Sequence, residues 1–150
     1  MSRLGMTVSV QPMFDGLWGS KGGMYEQRLG AARAQSMNRF ADLQTAGVLI
    51  AFGSDSPVTD LGPWQAVHAA VHHHQPGQQL SEQAAFAAHS RAGWRAVGDE
   101  RSGSLAPGAP AHYAIWDIPA DLTGAGPLPR ALRTVVAGAV VHDTQEVGTP

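Results

Sequence analysis

Asp55 lies in Gly53-Ser54-Asp55-Ser56-Pro57, directly after the apolar run Val48-Leu49-Ile50-Ala51-Phe52. A short apolar run bounded by turn residues reads as a fully buried strand. A carboxylate just past the end of such a strand sits where α/β barrels place their chemistry. Asp55 is therefore the first candidate functional residue. The same pentapeptide suits an Asx turn or a helix N-cap equally well, so the local residues leave both roles open. Ser54 and Ser56 have no partner histidine at a recognisable spacing, which argues against a serine nucleophile.

The histidines are the other candidates. His68 and His72 stand at i, i+4, the spacing by which two helical imidazoles can share an ion, but no carboxylate lies near them in the sequence. Consecutive helical residues point about 100° apart, so His72-His73-His74 cannot converge on one ion from a helix. The expectation for the run is a solvated helix end, with imidazoles near the negative end of the dipole. A small metal-binding module built on His68 and His72 stands as a separate reading. His89, His112 and His142 are scattered and are expected to be partly buried and hydrogen-bonded rather than catalytic.

The elements that would position these groups follow from pattern. Thr7-Val8-Ser9-Val10-Gln11 alternates polar and apolar residues and stops at Pro12, as a strand does. Residues 12–30 are Gly-rich, contain Phe14, Trp18 and Tyr25, and read as a long functional loop. Residues 31–46 read as one helix, with Met37, Phe40 and Leu43 along a stripe and Gly47 as its stop. Strand, helix and strand in that order make a βαβ unit with parallel pairing. Pro63 is placed to open the next helix, Ser81 to cap another, and a short helix including Trp94 and Val97 is expected to close at Gly98. From about residue 103 the character changes. Gly103-Ser104-Leu105, residues 111–116 and residues 132–142 read as short strands, with a tight turn at Gly138. The expected division is an α/β part over 1–103 and a small β part over 104–150.

Composition narrows the function classes. The chain of 150 residues, with 10 Lys+Arg against 12 Asp+Glu and a net charge of −2, is long enough for one ordinary domain and carries no basic footprint for nucleic acid. The absence of cysteine excludes disulfides, thiolate catalysis and thiolate metal sites. No apolar stretch approaches the roughly 20 residues of a membrane span, and no signal sequence is recognised, so the expected location is the cytoplasm. Only 15% of residues are charged, against about 25% in typical soluble domains. That leaves much of the surface suited to burial against something else.

Several segments in order resemble the metal-dependent amidohydrolases. They are Val8-Ser9-Val10-Gln11-Pro12, Arg28-Leu29-Gly30, Ala46-Gly47-Val48 and Phe52-Gly53-Ser54-Asp55-Ser56-Pro57-Val58. Gly103-Ser104-Leu105-Ala106-Pro107-Gly108-Ala109-Pro110-Ala111 and Val135-Val136-Ala137-Gly138-Ala139-Val140-Val141 continue the pattern, which is closest to the branch of the N-substituted formamide deformylase-like enzymes. The resemblance implies the last strands and helices, strands seven and eight, of a (β/α)8 barrel followed by part of a small β-sandwich, or the last quarter to third of such an enzyme. It implies hydrolysis of carbon–nitrogen bonds in amides or formamides at a divalent metal, zinc. Asp55 matches the aspartate that ends strand eight and contacts the metal or its water. The other metal ligands of the family have no counterpart in this chain. Phe14, Trp18 and Tyr25 become candidates for a substrate wall or for a cover on the barrel rim. Arg28 becomes a candidate for binding a substrate carboxylate or for a surface ion pair, and His112 takes no catalytic role. A chain of this kind is expected to be inactive alone. Its partners would be the small-molecule substrate and either a second copy or an upstream polypeptide that completes it.

Overall fold

A computed structural model describes residues 1–118 and 126–144. Strand β1 (Thr7–Val10) and strand β2 (Leu49–Phe52) pair in parallel, in the register Thr7↔Leu49 through Val10↔Phe52. Parallel neighbours need a crossover between them. Here it consists of four short helices, α1 (Pro12–Trp18), α2 (Met24–Leu29), α3 (Ala31–Ala34) and α4 (Phe40–Thr45).

The crossover departs from the expected loop and single helix. The stretch expected as a loop holds α1 and α2. Pro12 opens α1 at its first position, where a fixed φ suits the helix and the missing N–H costs nothing. Glu26 accepts the Gly22 N–H at 2.6 Å and so secures the entry to α2. The expected helix over 31–46 is broken because Asn38 takes φ +53, a left-handed conformation that asparagine tolerates. Met37 therefore leaves the stripe that Phe40 and Leu43 share on α4.

The remaining helices follow the sequence reading closely. Pro63 begins α5 (Pro63–Val71). The Ser81 hydroxyl accepts the Ala84 N–H at 3.2 Å and caps α6 (Glu82–His89). The short α7 (Arg91–Ala96) is followed by Gly98 at φ +82. Strands β3 (Tyr113–Asp117), β4 (Arg130–Val136) and β5 (Ala139–Asp143) form a separate antiparallel sheet in the order β3-β4-β5. Ala137 and Gly138, both at positive φ, make the tight turn between the last two. The strand expected at Gly103-Ser104-Leu105 is absent. Gly103 instead turns at φ +75, so close to α7 that a Cβ there would lie 2.6 Å from the Arg91 Cα.

The core gathers where α4, α5 and α6 meet β2. Phe40, Ile50, Phe52, Trp64, Val67 and Leu80 are buried together. The Trp64 and Trp116 rings, 5.8 Å apart, bring β3 against α5. Phe40 is 1% exposed and packs on both Phe52 and His73. Truncating it removes a ring that nothing nearby can replace. Phe40→Ala is expected to lower unfolding free energy by about 3–5 kcal/mol, read as a shift in the denaturant midpoint at an unchanged slope.

Candidate functional site

Parallel pairing places the carboxyl ends of β1 and β2 side by side. The Gly53 N–H donates to the Val10 carbonyl at 2.9 Å, and the Gln11 side chain comes within 4.0 Å of where a Gly53 Cβ would be. The loop carrying Asp55 starts there. Its closure is made by other residues: the Ser56 N–H donates to the Ser54 hydroxyl at 3.2 Å, and the Thr59 hydroxyl donates to the Ser54 carbonyl at 2.5 Å. Asp55 itself is exposed at φ +56, and among the described residues only its backbone carbonyl is bonded, by the Val58 N–H at 2.8 Å. The turn thus leaves the carboxylate free, and the Asx-turn role is taken by Ser54.

The aromatic candidates gather beside α1. Phe14 and Trp18 lie 4.6 Å apart, and Trp18 meets the edge of Tyr25 at 6.1 Å. Tyr25 is buried while Phe14 and Trp18 are half-buried. Burial pushes the Tyr25 hydroxyl above its ordinary pKa, a hydrogen bond with the Asn38 side chain opposes this, and the charge of Asp15 adds to it. Arg28 is exposed in the last turn of α2.

The second constellation went unseen in the sequence. Asp15 and His73, each 2% exposed, meet in the interior with His74. Helix α5 ends at Val71, so His73 and His74 leave the helix and turn towards Asp15 instead of diverging into solvent as expected. Asp15 Oδ2 accepts the His74 backbone N–H at 3.0 Å, and Oδ1 accepts the Nδ1–H of the same residue. His73 Nε2 lies 2.8 Å from the Asn38 carbonyl and 3.1 Å from Asp15 Oδ1. Burial holds the His73 imidazole below its ordinary pKa, against the pull of Asp15. The run His72-His73-His74 gave a hint, but nothing in the spacing marks Asp15 as its partner.

Asp15, His73 and His74 have ligand atoms within 4.8 Å of one another, close enough to hold an ion. The hydrogen bonds oppose that use. The Gln75 N–H donates to His73 Nδ1 at 3.0 Å, so the neutral ring carries its proton on Nε2, the atom that would face the ion. Binding there would require an imidazolate. The His73 proton thus opposes an ion shared by all three groups, although His74 Nε2 is buried without a hydrogen-bond partner among the described residues; the cluster is a hydrogen-bond network left open at that one atom.

The other histidines have structural contacts. The His68 and His72 rings stack at 4.0 Å, with His72 Nδ1 bonded to the His68 carbonyl. His89 meets the Phe52 ring and is held below its ordinary pKa by burial. His112 stacks on Trp94 and accepts the Ala137 N–H at 3.1 Å. His142, exposed on β5, is bonded to the Ala131 carbonyl at 3.3 Å.

Comparison with known families matches residues 1–142 to the amidohydrolase family. The chain belongs to the amidohydrolase family. Among solved structures, the chain is similar to an uncharacterized metal-dependent hydrolase from Pyrococcus furiosus, at 25% identity and a TM-score of 0.64 over 72% of the chain. It is also similar to an uncharacterized metal-dependent hydrolase from Pyrococcus horikoshii OT3, at 27% identity and a TM-score of 0.61 over 72% of the chain. The matched region covers 22% and 23% of those two chains. No curated protein matches the sequence. No helix among the described residues is long and apolar enough to cross a membrane.

The packing around Asp15 yields a direct test. A Cβ on Gly19 would lie 2.7 Å from Asp15 Oδ1 and collide with His74 Nδ1, whereas one on Gly77 would meet nothing within 4 Å. Gly19→Ala is expected to destabilise the fold by about 1–3 kcal/mol. Gly77→Ala should stay within about 0.5 kcal/mol of the parent. Thermal unfolding of the two variants side by side would check the contrast.

Proposed function

We propose that this chain is the carboxyl-terminal portion of a metal-dependent hydrolase that cleaves carbon–nitrogen bonds in non-peptide amides or formamides, of the N-substituted formamide deformylase-like branch. In this reading β1 and β2 are the seventh and eighth strands of a (β/α)8 barrel, residues 1–103 are the end of the barrel domain, and residues 104–150 belong to a small composite β-sandwich. Family membership supports the hydrolase class. The observation that carries the site is the free Asp55 carboxylate, presented just past the carboxyl end of β2 beside the end of β1. Parallel α/β folds place substrates at that end.

Asp55 acts as the general base. Its carboxylate takes a proton from the attacking water and returns it to the departing nitrogen. Phe14, Trp18 and Tyr25 form a wall for the substrate, with Arg28 at its margin. The divalent ion, zinc in this reading, needs about three protein ligands. Among the described residues no imidazole or carboxylate joins Asp55 in such a group. These residues alone do not fit a metal cage, and the remaining ligands would come from polypeptide outside them. In the complete enzyme, assayed by amine release from N-substituted formamides, Asp55→Asn is expected to lower kcat by about 10²–10⁴-fold. Asparagine tolerates the same backbone conformation, so unchanged turnover would sink the assignment.

A second reading has its own support. Among the described residues β1 and β2 pair only with each other, so each has an outer edge without a partner strand, and Ile115, Val136, Val140 and Val141 are exposed. Open edges and apolar surface recruit partners. A polypeptide of these 150 residues alone would then be a non-catalytic remnant that self-associates or is completed by an upstream polypeptide. Intact-mass analysis of the native product separates the two. A mass several-fold above 15.7 kDa is expected for the hydrolase, and a mass near that value would favour the remnant.

A further inference from the structure

Helix α1 is fastened to α5 at two places. Gly16 faces Ala69 so closely that a Cβ there would lie 3.2 Å from the Ala69 Cβ. Further along, the Asp15 carboxylate bonds to His74 and lies beside His73, a link spanning 59 residues between Asp15 and His74. The His73 ring is fully used in its neutral form, with Nδ1 accepting the Gln75 N–H and Nε2–H directed at the Asn38 carbonyl. A second proton would have to sit on Nδ1, where it meets the Gln75 N–H donor head-on. The ring has no room to turn away: its side chain is 0% exposed, the Phe40 ring stands edge-on at 5.1 Å, and His74 stacks at 4.8 Å. Charging His73 therefore requires the turn at residues 73–75 to open.

We propose that Asp15, His73 and His74 form an acid-released latch, which holds α1 against α5 while His73 is neutral and lets α1 go when His73 takes a second proton. The inference goes beyond the hydrolase reading and does not depend on it. Among the described residues, the titratable groups that face His73 are Asp15 from α1 and His74 from its own turn, with Tyr25 of α2 beyond them against Asn38 and Asp15. Asn38 and Phe40 contribute no charge, Arg39 and Asp42 at the start of α4 pair with each other, and His68 and His72 on the α5 side stack together. Because burial holds His73 below the ordinary imidazole value of about 6.5, the closed latch binds fewer protons than the open chain. Its contribution is complete above that value and is lost as the pH falls through it. Phe14 and Trp18 ride on α1, so the aromatic group beside Tyr25 would disperse with the same step.

Amide hydrogen exchange on the complete native polypeptide, corrected for intrinsic rates, reads the latch directly. Between about pH 7.5 and pH 5, α1 amides should lose at least about tenfold in protection while α6 amides keep theirs. Asp15→Asn should leave α1 poorly protected already at the higher pH and abolish the acid step, whereas Asp42→Asn should preserve it. If Asp15→Asn does not fold, nitrogen NMR of the parent protein still decides. His73 must be the Nε2–H tautomer at neutral pH and must gain its proton over the interval in which α1 loses protection. Constant α1 protection while His73 charges would overturn the proposal, as would an acid step surviving in Asp15→Asn. Displacement of the His73 Nε2 proton by added zinc ion would overturn it in favour of a metal site.

Discussion

The parallel pairing of β1 with β2 is the constraint on which the rest depends. Four residue pairs, from Thr7↔Leu49 to Val10↔Phe52, decide that both strands finish at the same end. Everything with chemical potential then follows from what leaves that end. One strand leads into α1 with its aromatics, and the other into the loop that presents Asp55. A one-residue slip would turn Ile50 and Phe52 away from Phe40 and the α5–α6 face, because side chains alternate along a strand. The apolar run 48–52 and the register of the site are thus set together.

The sequence was most legible where the cause was local. The apolar run at β2, the proline opening α5, the hydroxyl capping α6 and the turn at Gly138 are each decided by residues within a few positions, and each is found where expected. The place of Asp55, just past the end of β2, was readable for the same reason, since strand end and turn are adjacent in the chain. The crossover was harder to read. Its glycines suggested a loop although α1 and α2 lie there, and an alanine-rich stretch concealed the break at Asn38. That break answers to a partner far away: the Asn38 carbonyl faces His73, 35 residues on.

The Asp15 network was hidden for a related reason. Adjacent imidazoles cannot converge while they stay on a helix, and α5 ends before His73. Asp15 itself looks like any acidic residue in the first turn of a short helix. Only the packing of α1 on α5, made close by Gly16 and Gly19, turns it inward. Two glycines that read as flexibility in one dimension serve as clearance in three. The aspartate recognised in the sequence is exposed and free, and the one overlooked is buried and fully bonded.

The length of chain enclosed by that network bears on how the molecule assembles. Residue 15 meets residues 73 and 74 across the whole crossover and the β1–β2 pair, so the contact closes a loop of 59 residues. Closing a loop of that length costs chain entropy before the contact rewards it, and contacts of high sequence separation slow folding as a class. Bonds absent from the folding transition state act mainly on the rate of escape from the folded form. To the extent that the buried carboxylate and its imidazoles join after that barrier, they brake unfolding and leave unchanged how fast the chain first finds its fold.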